Sequence, residues 1–273
     1  MNLKYLTIFL LILFSTNCKS QTDNKEDENF KKTELYIIGT IHNPTDIINS
    51  DTLFNILKKI KPDLILVELD SSFFTKDFNF DTIKYPDLLS TNENISINKY
   101  KQFYKTDVRP FDITGRNDFY RKYNFFTTQS KMYSAISKLY DNGKLDSSCA
   151  ADFELISFTL DLTNKVKYRS LSELNSDVSI KLTKIRQKIL YDKTISIVKR
   201  TKSLNNWIDF AELQKKFWVR RNNKMAANIE YFASEKSYKK IVVFTGVNHL
   251  YFILELLKEK QNKNYVIKDF WGK

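Results

Sequence analysis

Three short, unbroken apolar runs limit what this chain can fold into: Leu35-Tyr36-Ile37-Ile38, Leu64-Ile65-Leu66-Val67 and Ile241-Val242-Val243-Phe244. Runs of this length without polar alternation suit strands buried on both faces, as in parallel sheets covered by helices. Between the first two, Thr52 to Ile60 carries Leu53, Ile56, Leu57 and Ile60 at helical spacing, and Lys61-Pro62-Asp63 ends it. Strand, helix and strand within about 35 residues make a βαβ unit, with parallel strands and a right-handed crossover.

The rest of the chain extends this pattern. Val108 to Ile113 reads as a short strand or extended segment, interrupted by Pro110. From about Asp118 to Ser237 the period is helical. Within Ser176 to Arg200, Ser176 is a candidate N-cap, and Val178, Leu182, Ile185 and Ile189 are expected to form a core-facing stripe. Leu250 to Lys260 predicts a short helix and Tyr265 to Ile267 a last strand, while residues 71 to 105 are aromatic-rich without a readable period. The expectation is an α/β fold: a mostly parallel sheet flanked by helices, with a large helical insertion in the middle of the chain. At 273 residues and 42% hydrophobic, the chain can bury one core. Five glycines and four prolines exclude a loop-rich sandwich or a fibrous chain.

The N-terminus reads as an address. Lys4 precedes the apolar run Leu6 to Phe14, which is too short to span a bilayer and suits a signal peptide. Ser15-Thr16-Asn17-Cys18 resembles a bacterial lipobox, with Asn17 where Gly or Ala is usual. The organisation predicted is a signal peptide over 1–17, a lipidated Cys18 with a polar tether over 18–33, and one domain over 34–273. This places the protein at the bacterial envelope, held to a membrane by its lipid. Ordinary signal cleavage nearby, with release, is the alternative. Net charge is +12, but the basic residues are scattered among acidic ones, which points to a solvated surface and not to nucleic-acid binding. Cys149 has no neighbouring His and reads as structural.

The chain has only two histidines, His42 and His249, and each follows a glycine by three residues: Gly39-Thr40-Ile41-His42 and Gly246-Val247-Asn248-His249. Chance gives this in about one of a few thousand chains of such composition. Both frames directly follow a buried-strand pattern, and parallel sheets bind ligands beyond the carboxyl ends of their strands. Glycine there is expected to let the chain turn sharply. Glu68 stands in the corresponding place after the second run. Two imidazoles with one carboxylate between them suit a divalent transition metal, which lowers the pKa of bound water. Asp70 is the alternative ligand, leaving Glu68 as general base.

These motifs resemble the TraB/PrgY/GumN family, grouped with Tiki proteases, haem-binding ChaN lipoproteins and erythromycin esterases. The similar residues are the first Gly-x-x-His, Lys61 to Leu69 with Glu68, the Arg221-Asn222-Asn223-Lys224-Met225-Ala226 segment, and the second Gly-x-x-His. The resemblance touches residues 35 to 69 and 217 to 258. It implies a site of His42, Glu68, Arg221 and His249, to which Asp112 and Arg116 are candidates to be added. In that reading the metal held by His42, His249 and Glu68 activates water, and Arg221 or Arg116 binds a carboxylate or developing oxyanion. Asn222 is a candidate to orient Arg221 or to cap a neighbouring backbone group. The function implied is metal-dependent hydrolysis of a peptide or ester bond. Haem or iron binding of the ChaN kind, or a non-catalytic envelope interaction protein, are the alternatives.

Overall fold

The structure, a computed structural model, describes residues 32–235, 237–259 and 264–271. The signal segment, Cys18 and nearly all of the tether lie outside the described residues. Each apolar run is a strand: β1 (Thr33–Thr40), β2 (Leu64–Val67), β3 (Asp107–Pro110), β4 (Lys240–Gly246) and β5 (Tyr265–Ile267). They form one sheet in the order β3-β2-β4-β1-β5, with every pairing parallel. Register sets Ile38 beside Phe244, Phe244 beside Val67, and Val67 beside Pro110. Four strands therefore end level at one rim.

Helices cover both faces, as the unbroken apolar strands require. They are α1 (Ser50–Ile60), α2 (Asn92–Phe103), α3 (Arg116–Lys122), α4 (Phe125–Asp141), α5 (Ser147–Lys165), α6 (Leu171–Leu174), α7 (Asp177–Arg200), α8 (Ile208–Ser234) and α9 (Val247–Glu259). Ile38, Ile65, Val67 and Phe244 pack on one side with Leu53 and Leu57 of α1 and Ile97 and Tyr100 of α2. Leu35, Leu64, Leu66 and Val243 pack on the other with Met225 and Ile229 of α8 and Ile253 of α9. The insertion between β3 and β4 builds a third core around Met132, Ile136, Cys149 and Ile197. Cys149 is buried there, its thiol pushed up by burial and accepting from the Thr201 hydroxyl. Among the described residues no helix is long and apolar enough to cross a membrane.

Two expectations need correction. Ser176 does cap α7, accepting from the Ser179 amide, but the helix buries a different face from the one expected. Val178 and Ile185 are 68% and 53% exposed, whereas Ser179, Thr183, Gln187 and Thr194 are buried. That inward face closes on polar partners, with the Ser179 hydroxyl bonded to Tyr168, and on the cavity described below, so apolar periodicity misled. The glycines of the two histidine frames also differ from expectation, because neither has positive φ. Gly39 is needed for space. It donates to Asn175 Oδ1 at 2.6 Å and accepts from Asn175 Nδ2 at 2.9 Å, so this amide stands in for a neighbouring strand where β5 has ended.

A methyl on Gly39 would meet Leu250 Cδ2 at 2.9 Å and Asn175 Oδ1 at 3.1 Å. Gly39→Ala is therefore expected to lose about 1–3 kcal/mol of stability through overpacking, measured by urea unfolding; an unchanged midpoint would contradict this account of Gly39.

Candidate functional site

The rim of the sheet gathers one chemical group from each of four adjacent strands. Asp112 lies two residues beyond β3, Glu68 directly after β2, His249 three residues beyond β4 and His42 two residues beyond β1. Parallel strands ending level make this convergence unavoidable. Strand order sets β4, not β2, beside β1, and the Glu68 carboxylate reaches from β2 onto the end of β4, where it meets Thr245 and Gly246. The two frames also diverge locally. His249 sits buried in the first turn of α9, whereas His42 lies in the loop after β1 with its side chain 56% exposed.

Arg221 reaches over the rim from α8 and organises it. Its buried side chain donates through Nε to Asp112 Oδ1 at 2.8 Å and through Nη2 to Asp112 Oδ2 at 2.8 Å and Glu68 Oε1 at 2.6 Å. Nη1 lies 3.1 Å from His249 Nε2. On its other side, His249 Nδ1 lies 2.8 Å from Asn222 Oδ1. A guanidinium can only donate and an amide oxygen only accept, so His249 carries its proton on Nδ1 and accepts at Nε2. Burial pushes this imidazole down to about 4, leaving it neutral at pH 7. Burial alone would raise Glu68, but His249, Arg221 and the Gly246 amide hold its carboxyl well below the usual range. The other Glu68 oxygen accepts from Thr245 Oγ1 and Gly246 N.

The helix α8 explains the Arg221-Asn222-x-x-Met225-Ala226 frame. These four residues, with Gln214, Phe217 and Ile229, are its buried face. Arg221 is thus not a surface partner of Arg220, which is exposed and lies over the Phe119 and Phe217 rings. Asn222 donates to the Trp218 backbone carbonyl, one of its two expected roles, and its Oδ1 orients His249 where an effect on Arg221 was the other expectation. Arg116 joins the network, donating from Nη1 to Asp112 Oδ2 at 2.7 Å. Asp70 does not face the cavity. It caps the turn at Ser71–Phe73 and accepts from the Gly115 and Arg116 amides, shaping the loop that presents Arg116.

His42 has a partner that sequence reasoning missed. Its Nδ1 lies 3.1 Å from Glu93 Oε1, which also accepts from the Thr40 hydroxyl. Glu93 is buried in the first turn of α2, where the helix N-terminus favours a negative charge. The only signal was Thr91 as N-cap of that helix, inside the stretch that shows no period. The hydrogen bond that His42 donates to Glu93 raises the imidazole above 6.5, against the opposing effect of burial.

A cavity of about 600 Å³ opens over the rim, lined by His42, Glu68, Arg116, Arg221, Gly246 and His249. Gly246 keeps its floor clear: a methyl there would lie 3.6 Å from both His42 Nε2 and Glu68 Oε2 and 3.9 Å from His249 Cδ2. The donor set expected for a metal thus converges. However, Arg221 takes both the His249 Nε2 lone pair and a Glu68 oxygen, and loading a cation requires it to withdraw. Among the described residues no group of three His, Cys, Asp or Glu side chains is placed to hold a metal ion. The arrangement as it stands can hold a carbonyl substrate, polarise it with guanidinium N–H groups, and accept a proton at His42.

Comparison with known proteins gives no match: no protein family, no curated protein and no solved structure resembles this chain closely enough to be recognised. Function must be argued from the site alone.

Arg221→Met leaves buried Glu68 without its arginine and Asp112 with Arg116 alone, and breaking such a buried pair costs about 3–5 kcal/mol. Arg221→Lys is expected to recover little of it, because an ammonium cannot make the two-pronged bond to Asp112. Urea denaturation of the three proteins checks this; a lysine variant as stable as the parent would contradict it.

Proposed function

We propose that the chain is a hydrolase of a peptide or ester bond, held at the bacterial envelope through Cys18, with His42 as general base. One observation carries this reading: the Nδ1 of His42 faces the buried carboxylate of Glu93, while its Nε2 faces the cavity that holds Arg116 and Arg221. An Nδ1–H held by a carboxylate leaves a basic lone pair at Nε2, oriented for proton transfer.

In this mechanism a water beside His42 attacks the substrate carbonyl carbon, and its proton passes to Nε2. The carbonyl oxygen gains negative charge opposite guanidinium N–H groups. Arg221 uses four of its five N–H groups on Asp112, Glu68 and His249, which leaves one on Nη1. Arg116 bonds through Nη1 and Nε and has Nη2 to offer. The carbon–nitrogen or carbon–oxygen bond then breaks, and His42 returns its proton to the leaving atom. Glu68 and Asp112 hold the arginines, so their roles are positioning ones.

A second reading keeps a divalent transition metal at His42, Glu68 and His249. Its support is the convergence of these three side chains around Gly246. If Arg221 withdrew, His42, Glu68 and His249 would be free to hold such an ion, which would supply a Lewis acid to the substrate carbonyl. Metal analysis and chelation separate the two. We expect exhaustive chelation to leave turnover within about twofold of the untreated protein. A loss restored by one divalent ion would instead establish the metal.

General-base chemistry needs neutral His42, so kcat/KM should rise with pH through a midpoint above 6.5. Glu93→Gln removes the main upward influence and leaves burial to oppose the charged ring, so the midpoint should fall below the parent's, with a lower plateau. His42→Ala is expected to reduce turnover by about 10²–10⁴-fold. A Glu93→Gln profile superimposable on the parent's would remove the proposed base.

A further inference from the structure

The cavity has a second wall that the mechanism does not use. Gln187 on α7 and Gln214 on α8 both line it, at 6% and 2% exposure. The amide nitrogen of Gln214 is buried without a hydrogen-bond partner, and Gln187 has none among the described residues. Leaving a buried donor unpaired costs about 1–3 kcal/mol, so a turn of this cavity-lining carboxamide that brings the nitrogen to a group arriving from outside would be favoured. Each glutamine is followed one helical turn later by aromatic side chains on the same cavity: Tyr191 after Gln187, and Phe217 and Trp218 after Gln214. Burial raises the Tyr191 phenol, so this wall is neutral. Charge is confined to the rim below.

We propose that Gln187 and Gln214 form a subsite that reads a neutral amide, and that the substrate is an uncharged peptide segment with an apolar or aromatic side chain. A secondary amide presents one donor and one strong acceptor, and a carboxamide offers the complement of both. The aromatic side chains bury the flanking apolar surface and would exclude water from these bonds. A carboxylate or ammonium at this wall would lose its hydration with no opposite charge to meet it.

The proposal names the substrate of the hydrolase reading and rests on it for which end reacts, so the test reads binding and not turnover. In the purified full chain carrying His42→Ala, N-acetyl-phenylalanine N-methylamide is titrated by calorimetry. Its free-acid analogue and methyl β-glucopyranoside serve as comparators. The blocked amide is expected to bind at least tenfold tighter than either. Gln214→Met and Gln187→Met should each weaken it about tenfold, the value of one good hydrogen bond. Because Gln214 has an unpaired donor in the free protein, Gln214→Met should also unfold at an equal or higher temperature. Unchanged binding in both variants, tighter binding of the glycoside, or a lowered unfolding temperature for Gln214→Met would overturn the subsite. A probe that binds through the glutamines, yet is never cleaved by the chain with His42 intact, would end the hydrolase reading and leave the subsite standing.

Discussion

A single buried guanidinium holds the candidate site together. Arg221 is 7% exposed and lies among Glu68, Asp112 and His249, three groups delivered by three different strands. Each acidic side chain at this depth would carry a large desolvation cost if it stood alone. The planar fork of arginine meets both carboxylates and an imidazole at once, which a point charge cannot do. It also sets the tautomer of His249 and so the chemical identity of that ring. Since Arg221 belongs to α8, it joins the helical insertion to the sheet rim at the candidate site, and the insertion is part of the site.

The sheet was legible because its strands are buried on both faces and therefore apolar without interruption. The positions of His42, Glu68 and His249 followed from the parallel arrangement, which brings every strand's carboxyl end to one rim. Asp112 and Arg116 were readable only as candidates, since β3 is four residues long and contains Pro110. Their meeting with Arg221 depends on the loop that Asp70 shapes through the Gly115 and Arg116 amides. That contact spans 45 residues and leaves no local pattern.

What escaped the sequence has a common cause. Glu93 pairs with a residue 51 positions away, at the start of a helix whose apolar periodicity is weak. The glutamines of α7 and α8 face a cavity, where polar residues replace the apolar stripe that marks a core-facing helix. Periodicity therefore chose the wrong face of α7. The two glycines were noticed for their spacing, yet they act by keeping space open: Gly39 for the Asn175 amide, and Gly246 for the floor on which a substrate would sit. In each case the local rule fails where the fold makes room for chemistry.

With only two histidines in the chain, a nitrogen-15 imidazole titration reads both rings without overlap. The account holds that one ring, His42, titrates above 6.5, while the other, His249, stays neutral and protonated on Nδ1 until the pH approaches 4. Two rings titrating together near 6.5, or a His249 protonated on Nε2, would contradict the arrangement in which Glu93 holds His42 and Arg221 holds His249.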